Sequence, residues 1–155
     1  MPWPADLAAL RTGAGCEMCT QDRGVDNVFG LSVFVGEHAE AFLQRRGFRR
    51  GYVIVIHRGA RHVTEPTELS DEDAAGYWHE VLTVARAIEA VFRPLKLNLM
   101  MLGNQLPHLH THIVPRYVDD PDAGGPPIFV EDDPPRDEDE LRRDADAVRA
   151  ALVRA

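Results

Sequence analysis

Between Pro107 and Tyr117 the chain alternates two kinds of side chain, with His108, His110 and His112 at every second position and Leu109, Thr111 and Ile113 between them. Period two belongs to an extended strand, whose side chains point to opposite faces with a rise of about 3.3 Å per residue, so the three imidazoles share one face roughly 6.6 Å apart. Pro107 and Pro115 disfavour a helix at both ends of the row. The pattern predicts a strand over 107–117, apolar on one face and lined with imidazoles on the other.

Elsewhere the pattern predicts more strands and two longer helices. "LSVFV" (31–35) and "AFLQ" (41–44) read as strands around a turn at Gly36, and "GYVIVIH" (51–57), nearly continuous Val and Ile, reads as a central one. Over 70–92, Ala74, Trp78, Val81, Ala85, Ile88 and Phe92 recur with helical spacing behind a capping signature at Ser70 and Asp73, and Pro94 ends the helix. On this reading Trp78 belongs to the helix core. "KLNLMML" (96–102) is a fourth strand, and Gly103 with Asn104 a turn into the histidine row. A short helix near Asp6 to Leu10 precedes the strands, and Leu141, Ala145, Val148 and Leu152 mark a helix over 139–155. Strands first and a long helix packed on one face argue α+β, not alternating α/β. The segment from 118 to the last helix is proline-rich and acidic, which predicts an extended path over the surface.

Length changes the picture little: 155 residues at 45% hydrophobic content support one sizeable core and one domain over 1–155, centred on about 16–117. No run reaches the roughly 18 apolar residues of a membrane span, and the first residues lack the basic and apolar blocks of a secretory signal, so a cytoplasmic protein without a membrane partner is expected. Charge changes it more. The net charge is −8, but ten acids against Arg136 leave residues 119–140 at −9 and the rest of the chain at +1. Arg45, Arg46, Arg49, Arg50, Arg58 and Arg61 lie in an acid-free stretch that can offer a local positive patch to a small phosphorylated ligand, with a solvated loop as the commoner reading of the 45–50 run. No broad basic surface supports a nucleic-acid partner.

Chemistry concentrates in few residues. A neutral imidazole is a good nucleophile near pH 7 and, once bonded to phosphorus, a good leaving group, so it divides one difficult phosphoryl substitution into two easier ones. The only two cysteines, Cys16 and Cys19 in "CEMC", fit a metal clip or a redox pair better than a disulfide framework. His38, His57 and His79 match no motif and read as surface residues. Phe29, Phe34 and Phe42 are available either as walls of a pocket or as core.

The alternating histidines on a late strand, "CEMC", "GYVIVIHRGARHVTEPTELS" and "LGNQLPHLHTHIVPRY" together resemble the histidine triad (HIT) family of nucleotide hydrolases and transferases, in particular a bacterial branch linked to diadenosine tetraphosphate hydrolysis. The resemblance spans roughly residues 16–117. It implies an antiparallel sheet of about five strands, a small-molecule nucleotide substrate of diadenosine polyphosphate type, and a homodimer through the long helix and adjoining strand. It maps the nucleophile to His110 and the phosphate or leaving-group contact to His112. Asn104 and Gln105, by their place in the turn that enters the histidine strand, are read either as amide contacts to phosphate or ribose or as plain turn residues. Gln44 stands where many members carry a ribose-binding acid. Family members with the cysteine pair implicate His62 and His108 beside Cys16 and Cys19, a donor set suited to tetrahedral zinc.

Overall fold

A computed structural model describes residues 2–20, 24–47, 49–127 and 134–153. In chain order the elements are α1 (Leu7–Leu10), α2 (Glu17–Thr20), β1 (Asp26–Asn27), β2 (Gly30–Val35), β3 (Ala39–Leu43), β4 (Val53–His57), a 3-10 turn (Pro66–Glu68), α3 (Asp71–Phe92), β5 (Lys96–Met100), β6 (His110–Arg116) and α4 (Glu138–Leu152). The strands form one antiparallel sheet in the order β1-β2-β3-β4-β6-β5. This is the expected α+β arrangement, with the long helix packed on the sheet and a C-terminal helix beside it. The sixth strand, β1, is only two residues long and too short to carry a period. Residues 131–133 of the acidic stretch and 154–155 of the expected last helix lie outside the described residues.

Register divides the sheet into two faces. Ile113 pairs with Val53 and Thr111 with Val55, while His112 pairs with Ile54 and His110 with Ile56. Leu31, Val33, Ala41, Leu43, Val53, Val55 and Ile113 therefore meet α3 and α4 in the main core. The imidazoles share the other face with a smaller cluster of Cys16, Met18, Phe29, Phe42 and Ile56. Tyr77 of α3 ties the helix layer to the two central strands, its hydroxyl donating to the Val55 carbonyl (3.2 Å) and sharing a bond with Thr111 Oγ1 (2.8 Å).

Ser70 caps α3 as expected, accepting from the Asp73 amide at 3.1 Å, and the helix ends at left-handed Arg93, immediately before Pro94. Its buried stripe runs through Tyr77, Val81, Val84, Ala85 and Ile88. Trp78 lies one position off that stripe and is 40% exposed, so it is a surface residue and not part of the core. His57 errs in the opposite direction. It ends β4 on the helix face, packs edge-on against Tyr77 with centroids 5.8 Å apart, and is buried.

The arginine stretch is not a free positive patch, because the acids expected to lie apart from it fold onto it. Arg45 pairs with Asp26 and Glu138, Arg49 with Asp120 and Asp122, Arg58 with Glu40, and Arg61 with Glu68. Arg116 also holds Asp120 and Asp122 at 2.5 and 2.9 Å. The 134–136 backbone follows the same path: Gly47 donates to the Pro134 carbonyl and Arg136 to the Arg45 carbonyl. Opposite charge on two segments remote in sequence brings them together, and little is left for an external phosphate.

Asp144 of α4 is the most buried of these acids, with its carboxylate bonded by Arg50 at 2.9 Å and Arg136 at 2.5 Å. Burial acts to raise its pKa, but the bonds from the two arginines outweigh it and the net shift is downward. A carboxyl whose folded pKa is depressed contributes stability above its unfolded pKa of about 4 and loses it as pH falls through the folded value. Asp144→Asn leaves buried Arg136 with Glu140, at 3.3 Å, as its remaining counter-charge and is expected to cost about 1–3 kcal/mol at pH 7. Urea unfolding of both proteins from pH 7 to pH 2 should show that gap closing below about pH 4.

Candidate functional site

The site is assembled by β6, the loop that enters it and the N-terminal knuckle. Gly103, at φ +63°, opens the loop, and Leu109 fixes its end by donating to the Val63 carbonyl (2.7 Å) and accepting from the His57 amide (2.9 Å). The regular strand therefore begins at His110, and His108 is held in line by its neighbour. At the N-terminus, Thr20 donates to the Cys16 carbonyl at 3.1 Å, closing the turn of α2 that brings Cys16 and Cys19 together.

Cys16, Cys19, His62 and His108 are positioned to bind a metal ion, with all four donor atoms within 4.8 Å of one another. His108 Nδ1 is 3.5 Å from Cys16 Sγ and 3.4 Å from Cys19 Sγ, and His62 Nδ1 is 3.3 Å from Cys19 Sγ. Metal bonds of about 2.3 Å to sulfur and 2.0 Å to nitrogen put tetrahedral S···N edges near 3.5 Å, so the donors stand where a tetrahedral ion needs them. The outer contacts agree. His108 Nε2–H donates to the His57 carbonyl at 2.9 Å, which leaves the Nδ1 lone pair facing the cluster. Gly13 packs so tightly on His62 that a Cβ there would lie 2.9 Å from His62 Cβ, and its φ of +87° itself favours glycine.

The other two imidazoles are organised differently. His110 Nδ1 lies 2.6 Å from the His108 carbonyl, which can only accept, so Nδ1 carries the proton and Nε2 the lone pair of the neutral ring. His110 Nε2 is 3.1 Å from His112 Nε2, which must then be the donor of that pair. The Nδ1 of His112 accepts in turn, from the Tyr52 hydroxyl at 2.7 Å. Both rings are held below the ordinary imidazole pKa. Burial lowers His110 despite the opposing bond to the His108 carbonyl, and burial with the neighbouring His110 ring takes His112 down to about 4.

These rings close one end of a cavity of about 540 Å³, walled by Met18, Phe29, Ile54 and Leu106, with Trp3, Asn104 and Gln105 also on its lining. Asn104 and Gln105 thus lie beside His110 and His112. Gln44 does not; its amide donates to the Phe29 and Phe42 carbonyls at 2.5 and 3.3 Å. Phe29 forms a wall, Phe42 packs beneath it, and Phe34 belongs to the opposite core. Tyr52 was not singled out by the sequence, since one tyrosine in a run of β-formers carries no signal until register sets it beside His112.

Three comparisons bear on this geometry. The family model described as the HIT domain matches residues 31–119. A curated relative, Protein hit from Bacillus subtilis (strain 168), is 37% identical over 113 residues, covering 70% of this chain and 75% of its own. Among solved structures, a histidine triad protein from Bradyrhizobium japonicum aligns with a TM-score of 0.73 at 22% identity over 80% of this chain and 91% of its own. A Zn-bound histidine triad family protein from Mycobacterium smegmatis aligns at 0.59 and 24% identity, over 79% and 84%. At these identities both structures establish a common fold.

The metal cluster generates a direct expectation. Cys16→Ser and Gly13→Ala should each lower bound metal and melting temperature together, because binding at such a site is coupled to folding. Metal analysis of freshly purified protein, beside calorimetry, checks it; full metal content in Cys16→Ser would contradict the site.

Proposed function

Because this chain belongs to the HIT-domain family, we propose that it is a nucleotide hydrolase that cleaves a phosphoanhydride or related bond through a covalent nucleotidyl group on His110. The observation that carries the reading is the 2.6 Å bond from His110 Nδ1 to the His108 carbonyl, which leaves Nε2 as the ring's one available lone pair. In the first step Nε2 attacks the α-phosphorus, the bond to the leaving oxygen breaks, and the electron pair departs with that oxygen. His112, with its proton on Nε2, donates to the phosphate as charge develops. Tyr52 holds His112 in that tautomer and is a positioning residue. Water then attacks phosphorus, the P–N bond breaks, and Nε2 recovers its lone pair.

The apolar cavity suits a nucleoside, and the amides of Asn104 and Gln105 suit phosphate or ribose oxygens; a dinucleoside polyphosphate is the substrate class we assign. Any ribose contact from Gln44 would fall to its Oε1 as acceptor, because its Nε2–H groups are held by the Phe29 and Phe42 carbonyls. Zinc is the metal we assign to Cys16, Cys19, His62 and His108, on the two-thiolate, two-imidazole donor set and the Zn-bound relative of the same fold. Its contribution would be structural, cross-linking the N-terminal knuckle to the loop that enters β6. The helix of 22 residues, α3, is not apolar enough to cross a membrane, and no helix among the described residues is. That leaves a cytoplasmic location within the proposal, together with a homodimer covering exposed Trp78 and Leu82.

A second reading is supported by the fold and the metal cluster alone: a zinc-held module that binds nucleotide without turnover. Acid-quenched single turnovers with a panel of nucleoside polyphosphates, read by intact-protein mass, separate the two. Hydrolysis predicts a nucleotidyl adduct on His110, lost with a rate reduction of about 10³-fold or more in His110→Ala. His112→Ala should slow the reaction by about 10- to 100-fold with metal content unchanged. Nucleotide binding with neither adduct nor product favours the module, and product carrying added phosphate when phosphate is present favours a transferase.

A further inference from the structure

The cavity has one wall that the catalytic reading does not use. Trp3 lies on its lining with Pro2, and 66% of the Trp3 surface is exposed. An indole this open in the free protein has apolar surface to bury against a flat ligand that enters the cavity. The segment carrying it is constrained. Pro2 and Pro4 flank Trp3 and restrict the backbone on both sides. The Gln105 side chain donates to the Pro2 carbonyl at 3.2 Å, joining this segment to the loop that enters β6. Leu7 donates to the Pro4 carbonyl at 3.2 Å, which leads into α1, and the turn after α1 rests on His62 through Gly13. The N-terminus is therefore tied to the active-face loop at one point and to the metal cluster at another.

We propose that Trp3 is the stacking platform for the nucleobase, a specificity-determining residue that completes the open side of the cavity; this rests on the nucleotide reading above. With phosphorus at His110, a nucleoside extends into the cavity between Phe29 and Ile54 on one side and the N-terminal segment on the other. Every base presents a π face, so an indole binds each of them, and the larger purine surface binds better. The device also makes the metal cluster matter to the substrate: the knuckle that carries Cys16 and Cys19 supplies Met18 to the cavity wall and anchors the chain that presents Trp3.

The chain has two tryptophans, and Trp78 lies on α3 across the sheet from the cavity, so Trp78→Phe leaves Trp3 as the single tryptophan, whose emission is excited selectively at the red edge of the absorption band. This variant is titrated with AMP, GMP, CMP and UMP and with ribose 5-phosphate, which lacks a base. Affinities of Trp3→Ala and Trp3→Phe are measured by calorimetry in parallel. The expected result is saturable quenching of Trp3 emission by the nucleotides, strongest for the purines, and none by ribose 5-phosphate. Trp3→Ala should weaken purine nucleotide binding by about tenfold or more, and Trp3→Phe should recover most of it. Nucleotides that bind the parent protein tightly, leave Trp3 emission unchanged and bind Trp3→Ala equally well would overturn this inference while leaving the catalytic reading intact. Failure of all four nucleotides to bind the parent protein would also overturn this inference, while the catalytic reading is decided by the acid-quenched turnovers.

Discussion

Two backbone carbonyls sort the three imidazoles of this site. A carbonyl can only accept a hydrogen bond, so a ring nitrogen against one must carry the proton, and in a neutral imidazole the other nitrogen is then left with the lone pair. The His57 carbonyl takes Nε2–H of His108 and turns its Nδ1 toward the two cysteine sulfurs. The His108 carbonyl takes Nδ1–H of His110 and turns its Nε2 into the cavity. From that one constraint the proton on His112 and the donor role of Tyr52 follow without further assumption. Chemically identical side chains on one strand face thus present different nitrogens, His108 its Nδ1 to the cysteine cluster and His110 its Nε2 to the cavity.

The surrounding structure keeps that short chain of bonds in register. Tyr77 bridges β4 and β6 from the helix side at the level of Thr111, between His110 and His112. Paired arginines and acids bind the C-terminal segment across the sheet edge, and Arg149 of α4 donates to the Ser32 carbonyl of β2 at 2.6 and 3.0 Å. The cavity face carries the smaller cluster built around Met18, Phe29 and Phe42, which leaves room for a ligand.

Periodicity made the sheet and both long helices legible, since β-strand alternation and the 3.6-residue stripe are local properties. What it could not give was the partner of each residue. Trp78 and Tyr77 are adjacent, and a rotation of one position decides which is core; the helical stripe alone did not fix that phase. His57 is one of several unmatched histidines until the pairing of Ala39 with His57 places it beneath α3. Arg49 and Arg50 read as available charge because their acids lie 71 to 94 positions away in sequence. Cys16 and Cys19 were readable as a metal clip or redox pair from their spacing, but His62 and His108 only through the family's motifs, as nothing in the spacing of His62 to Cys16 brings them together. Gln44 shows the limit of that route, because a residue at a matched position can spend its donors on backbone carbonyls instead.

The central claim concerns which nitrogen of each ring holds the proton, and long-range ¹H–¹⁵N correlation of the histidine side chains at pH 7 reports it directly, in protein purified with its metal. The account predicts His110 as the Nδ1–H tautomer, His112 as Nε2–H, and His108 as Nε2–H with a metal-shifted Nδ1. His110 protonated at Nε2, or as a cation, would leave the nucleophile without its lone pair and contradict the account.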